Sequence, residues 1–193
     1  MRIVLARIIS AAVLATSTVA LVQVAEASAT VPAPFDTSFG TNGIAELTLP
    51  NLESTTSVTE VVEDSSGRLL GLLQIDGYRV AVVRLLANGN IDTTFGESGR
   101  SQFLELSQAS MQVQSDGKIL VAGYVPGKVL PEIFLTRINT SGIVDTSFGT
   151  NGSKTIGGFP GKMLSSSSRL LLQFDAINEA TVETFRYLLN PVP

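Results

Sequence analysis

The chain has 193 residues, 13 basic and 17 acidic, with a net charge of −4 and neither histidine nor cysteine. An acidic balance without clustered Lys and Arg argues against nucleic acid as a partner, because phosphates call for a basic surface, and it provides no polybasic segment for anionic lipid. The missing residue types exclude a Ser-His-Asp triad, a His-based zinc or haem site, a thiol nucleophile, a thiolate metal site and any disulfide.

The first element is a leader. Arg2 and Arg7 form a positive start, residues 8–22 are an apolar run broken only by Ser10 and by 16–18, and Ala27-Ser28-Ala29 offers the small-x-small pattern of a cleavage site. Residues 1–29 therefore read as a signal peptide, with Thr30 the first mature residue and a secreted, periplasmic or cell-surface location. The rival reading is an uncleaved anchor, since the run approaches the roughly 20 residues that span a bilayer. Its Ala, Ser and Thr content favours removal, which leaves no stable membrane span. Cleavage would take away two basic residues and one acidic one, making the remainder one unit more negative.

Residues 30–193 read as one domain built from a repeat. Nearly the same nine residues recur at 35–43 (Phe35-Asp-Thr-Ser-Phe-Gly-Thr-Asn-Gly43), 91–99 (Ile91-Asp-Thr-Thr-Phe-Gly-Glu-Ser-Gly99) and 144–152 (Val144-Asp-Thr-Ser-Phe-Gly-Thr-Asn-Gly152), so that Phe39, Phe95 and Phe148 stand 56 and 53 residues apart. A fixed period of this size marks an array of equivalent supersecondary units. The motif's Asp bonds the backbone two residues on, its Gly residues allow positive φ, and its Phe fills the seam between units.

After the first motif, 44–49, 57–62, 68–74 and 79–86 are short runs rich in Val, Ile, Leu and Thr. After the second come 100–104, 110–114, 118–124 and 132–138, and after the third 153–156, 162–165, 169–174 and 181–189. Strand-length apolar runs bounded by Gly, Asn, Asp, Ser and Pro are how antiparallel β-structure is punctuated. Asp116-Gly117 is expected to make a two-residue hairpin turn with positive φ at both residues. Ser66-Gly67 takes the equivalent place in the first unit, and Ser167-Ser168 a looser one in the third. The fold class is all-β: about three four-stranded antiparallel repeat units, partially β-propeller-like, at about 43–91, 99–143 and 152–193.

The Asp-Thr-Ser/Thr-Phe-Gly motif followed by a strand, the segment Ser115-Asp-Gly-Lys-Ile-Leu-Val-Ala-Gly123, and Arg137-Ile-Asn ahead of the next motif together resemble the delta-60 repeat. The resemblance covers most of 35–193, most closely in the second unit and least in the third. It implies a β-propeller-like fold in an exported protein, mostly bacterial, and brings no catalytic residues with it. Closed propellers have about four to eight blades, more than this chain supplies. Two closures stay open: a homodimer joined head to tail into a six-bladed ring, or an open three-unit arc.

Candidate residues have structural explanations. Asp36, Asp92 and Asp145 recur within the motif, where turn-making explains them. Calcium is the rival, and the dense D-x-D-x-D pattern of calcium loops is absent. Glu60, Glu63 and Asp64 read as a solvated strand edge. Arg84, Arg137 and Arg186 fall at matching places and read as ion pairs between units or as snorkelling side chains. Tyr78, Tyr124 and Tyr187 share no repeat position. Asn139-Thr-Ser and Asn151-Gly-Ser match the N-glycosylation sequon. Neither a phosphate loop nor a dinucleotide fingerprint occurs. No catalytic, cofactor-binding or metal-ligating residue is assigned. The expected function is an exported repeat protein with a binding or structural role, its ligand or protein partner unknown. The alternative is a carboxylate-dependent glycan hydrolase or lyase, which a close pair of buried acids in a pocket would favour.

Overall fold

A computed structural model describes residues 3–8, 18–21, 36–49, 56–127, 132–157, 160–166 and 169–174. Every regular element among them is a strand: β1 (Ile3–Ile8), β2 (Thr18–Leu21), β3 (Ile44–Leu47), β4 (Ser57–Glu63), β5 (Leu69–Ile75), β6 (Arg79–Leu85), β7 (Ser107–Val113), β8 (Ile119–Tyr124), β9 (Glu132–Ile138), β10 (Ser153–Gly157), β11 (Pro160–Ser166) and β12 (Arg169–Phe174). They form antiparallel sheets in the orders β2-β1-β3, β4-β5-β6, β10-β9-β8-β7 and β11-β12. The expected all-β, propeller-like architecture is what the chain adopts. Strand 181–189, Arg186, Tyr187, Thr30 and the Ser167-Ser168 turn lie outside the described residues. No helix among the described residues is long and apolar enough to cross a membrane.

The sheets stack face to face because their central strands are apolar on both sides. Successive side chains of a strand point to opposite faces, so β5 sends Leu69, Leu73 and Ile75 into one core and Leu70 and Leu72 into the next. β8 does the same with Ile119 and Val121 on one face and Leu120 and Ala122 on the other. One motif phenylalanine enters each core: Phe39 the first, Phe95 the second, Phe148 the third. Phe95 is fully buried, and truncating a buried phenylalanine costs about 3–5 kcal/mol. The seam role expected of the motif is observed.

Sequence repeat and sheet are phased differently. The strand that follows a motif pairs with the strand before it: β10 lies on β9, and Arg100 and Leu104 bridge back to Val83 and Val80 of β6. Each motif is thus the connection into the last strand of its own sheet. The first strands of the two central sheets carry matching irregularities, between Val58 and Glu60 in β4 and between Ser107 and Ser110 in β7. Gln108 lies inside the second, at φ +49°, and an irregularity of this kind bends the strand locally.

The turns also differ from expectation. At Asp116-Gly117 only the glycine takes positive φ (+79°). Gly117 N–H donates to the Gln114 carbonyl at 2.9 Å and Gln114 N–H to the Lys118 carbonyl at 2.8 Å, closing a three-residue loop. Turns with two consecutive positive-φ residues are found instead between β5 and β6 at Asp76-Gly77 (+48°, +80°) and in the motif, at Asn42-Gly43 (+53°, +87°), Ser98-Gly99 (+54°, +94°) and Asn151-Gly152 (+51°, +90°). Glu60 is not a solvated edge charge. Its Oε2 accepts from Ser110 Oγ at 3.0 Å and from the Met111 amide at 2.9 Å, tying β4 to β7. Asp64 shapes its own hairpin, accepting from Ser66 N–H at 2.8 Å and Arg68 N–H at 3.0 Å and holding the Arg68 guanidinium.

Units approach most closely where the amide of a motif glycine donates to the turn of the next sheet: Gly40 to the Asn88 carbonyl and Gly96 to the Ser141 carbonyl, both at 2.7 Å. A Cβ on Gly142 would lie 2.5 Å from the Gly96 nitrogen, and Gly142 has φ +83°. Gly127 has a similar φ of +76° and no described residue within 4 Å of where its Cβ would stand. Gly127→Ala should therefore cost about 1–2 kcal/mol for the left-handed conformation alone. Gly142→Ala should cost a further 1–3 kcal/mol or so for the crowded seam. Urea unfolding of both variants reads the difference, and equal losses would show that the seam accommodates a methyl group.

Candidate functional site

Asp92 and Asp145 each pair with an arginine of the strand before their motif. Asp92 Oδ1 accepts from the Thr94 amide at 3.1 Å and the Thr94 hydroxyl at 2.5 Å, while Oδ2 accepts from Arg84 Nε at 2.8 Å. The third motif repeats this with Ser147 (3.1 and 2.6 Å) and Arg137 (2.8 Å), and Lys118 Nζ stands 3.2 Å from Asp145 Oδ2. Asp36 makes the same turn with Ser38, its Oδ1 accepting from the Ser38 amide at 3.0 Å. The guanidinium of Arg84 lies 4.5 Å from the centre of the Phe95 ring and that of Arg137 4.7 Å from Phe148.

These ion pairs run within a unit, from the third strand to the motif that follows. What crosses to the next unit is the other arm of Arg84, whose Nη1 donates to the Thr140 carbonyl at 2.6 Å. Each carboxylate is committed to hydrogen bonds, and no group of three or more potential ligands that could hold a metal ion occurs among the described residues. The motif is a structural node.

Burial pushes the Asp92 carboxyl up, but the Thr94 hydroxyl, the Thr94 amide and the Arg84 guanidinium outweigh it and hold it below the usual carboxylate value. For Asp145 the Ser147 hydroxyl is the largest influence. With Lys118, the Ser147 amide and Arg137, it overcomes burial and holds the group well below the usual range.

The concave site lies elsewhere. A cavity of about 500 Å³ opens between the last segment of the β4–β6 sheet and the face of β9 and β10, within the size range of small-molecule sites. Leu104, Leu106, Phe134 and Val144 give it apolar surface. Thr136, Ser153 and Thr155 line the same strand face, and the Thr136 and Ser153 hydroxyls lie 3.0 Å apart. Gln102, Asn151, Glu105 and Glu132 also line it, and no Lys or Arg is among its described lining residues. The pattern is legible afterwards as the alternation Glu132-x-Phe134-x-Thr136 beside Ser153-x-Thr155. Its opposing wall comes from another sheet, which strand patterning does not reveal.

Residues 75–95 and 114–148 match the family described as a domain of unknown function (DUF5122) beta-propeller. The chain is a β-propeller-like repeat protein. No curated protein and no solved structure matches it. The matched stretches of the propeller-like repeat each run through the third strand of a sheet to the motif phenylalanine, and so contain both complete Arg–Asp–Phe nodes.

Because Asp92 and Asp145 are depressed, the unfolded chain binds more protons than the native one at acid pH. Their contribution to stability is complete above about pH 4, the ordinary carboxylate value, and is lost as the pH falls towards their native values. Asp92→Asn should lower stability at pH 7 by about 3–5 kcal/mol, since it leaves the buried Arg84 without its counter-charge. The gap to the native chain should narrow at pH 3. Urea titrations at the two pH values measure this, and a gap that stays constant with pH would remove Asp92 from the acid response.

Proposed function

We propose that the protein is an exported member of the delta-60 repeat group that binds a neutral or cationic small ligand in the cavity between β9–β10 and the preceding sheet. The observation carrying this is the described lining: apolar surface from Leu104, Leu106 and Phe134, hydroxyl and amide groups on the walls, and two glutamates, with no Lys or Arg among the described lining residues. Such a site offers apolar contact and hydrogen bonds and repels anions. Export rests on the apolar, cleavage-like character of residues 1–29. A glycan hydrolase or lyase would require two carboxylates set across a cleft. Of the two glutamates that line the cavity, Glu105 is exposed and Glu132 half-buried, and Asp92, the one buried acid among the described residues, is held in an ion pair. Binding is the reading the cavity supports best.

Ligand-observed NMR against neutral oligosaccharides, polyamines and phosphorylated sugars tests this. Neutral or cationic compounds should bind and phosphorylated ones should not. Thr155→Trp, which places a large ring at the cavity lining, should weaken binding at least tenfold with an unchanged far-UV spectrum. Preferential binding of the phosphorylated compounds, or binding indifferent to Thr155→Trp, would sink the proposal.

A further inference from the structure

The two faces that carry the first and second cores are filled differently at one repeat position. Val83 lies opposite Arg100 and Thr136 opposite Ser153, so residues 53 apart hold the same register. By that spacing Arg79, Val83 and Arg100 correspond to Glu132, Thr136 and Ser153. Arg79 is registered with Ile75 and Arg100 with Val83, and since Ile75 and Val83 belong to the first core, both arginines face it. Glu132, Thr136 and Ser153 instead line the cavity beside the second core.

In the earlier unit the chain supplies its own cations. The Arg100 guanidinium lies 4.0 Å from the centre of the Phe103 ring and that of Arg79 5.0 Å from it. Arg100 is almost inaccessible, with Nη1 donating to the Ser101 carbonyl at 2.8 Å and Nη2 standing 3.9 Å from Glu97 Oε2. Arg79 Nε donates to Asp76 Oδ2 at 2.8 Å. An aromatic ring, a carbonyl and carboxylates are thus what this position of the repeat uses to take guanidinium groups out of water. A guanidinium suits such a place better than an ammonium, because it is planar, more weakly hydrated and stacks on rings.

The later unit has the acceptors and, among the described lining residues, no Lys or Arg. Phe134, half-buried, stands in the cavity wall at the place of Ala81, and Glu132 at the place of Arg79. Ser153 leaves unfilled the length of an arginine side chain. Thr136 is buried, and its hydroxyl lies 3.0 Å from that of Ser153. Whichever of the two donates, both oxygens keep a lone pair for an incoming N–H. We infer that the cavity is a guanidinium site. It takes an alkylguanidinium whose cationic group lies among Phe134, Glu132 and the Thr136–Ser153 hydroxyls, where Arg79 and Arg100 stand one unit earlier. The inference rests on the binding reading above and narrows its ligand to one cation. A free alkylguanidinium and an arginine side chain of a peptide share this chemistry.

Butylguanidinium, butylammonium and the neutral isostere butylurea, titrated into the full chain by NMR, test this. Butylguanidinium should bind about tenfold more tightly than butylurea, from ring and carboxylates together, with butylammonium between them. The margin should shrink at high ionic strength. Ser153→Arg gives the later unit the arginine of the earlier one and should abolish butylguanidinium binding. Glu132→Gln keeps the size of the side chain and should remove most of the margin over butylurea, which decides the matter if Ser153→Arg folds poorly. Overhauser transfer from the butyl protons to the Phe134 ring places the ligand without any variant. N-acetylarginine amide binding more tightly than butylguanidinium would assign the group to a peptide, and the reverse order to a free alkylguanidinium.

Butylurea or butylammonium binding as tightly as butylguanidinium, or a margin unmoved by both variants, would overturn the inference. Neutral oligosaccharides are titrated alongside. Their binding without that of butylguanidinium overturns the guanidinium assignment and leaves the binding reading standing. Binding of none of these compounds defeats the binding reading itself, and the assignment with it.

Discussion

The structure depends on a buried ion pair that is fully used. Arg84 and Asp92 are each almost inaccessible to solvent, and desolvating both charges costs more than their attraction returns unless every remaining valence is met. Here it is met. The carboxylate takes two hydrogen bonds from Thr94 and one from Arg84, and the guanidinium reaches the Thr140 carbonyl of the next unit with its face towards Phe95. Asp92 and Phe95 share one short loop, and Arg84 sits on the strand against which that loop folds back. A single node therefore sets loop shape, strand pairing and the packing of one sheet on the next.

A scaffold held in this way leaves the seams free to differ. In unit-to-unit register, Glu132, Phe134, Thr136 and Ser153 correspond to Arg79, Ala81, Val83 and Arg100. In the earlier unit the guanidinium groups of Arg79 and Arg100 lie 5.0 and 4.0 Å from the Phe103 ring, and Arg100 is buried. The later unit puts a glutamate and a serine at those two places. A short hydroxyl in place of a long cationic side chain leaves volume unfilled, and the glutamate reverses the sign of the charge beside it. The cavity and its acidic character follow from the same two substitutions, with the Arg–Asp–Phe node unchanged on either side.

Much of this was legible from local chemistry. The aspartate turn, the positive-φ glycines and the seam phenylalanine are written into nine consecutive residues, and each is found where the residue types require. Features that depend on two units meeting were not. Glu60 reads as an edge charge until β7 is placed beside β4 and its carboxylate finds the Met111 amide. Asp116-Gly117 has the composition of a two-residue turn. The register of β7 on β8 leaves room for a three-residue loop, and paired positive-φ residues fall to Asp76-Gly77 and to Asn-Gly and Ser-Gly in the motif. The cavity needed the same knowledge, since its walls belong to different sheets.

Residues 3–8 show how one segment can satisfy two sets of rules. A leader requires a basic start and apolar content. The third strand of this repeat requires apolar residues on both faces with an arginine towards its end, because it lies between two cores and must serve the motif aspartate. Ile3-Val-Leu-Ala-Arg-Ile8 meets both, which is why composition alone reads it as a leader and strand register reads it as part of a sheet.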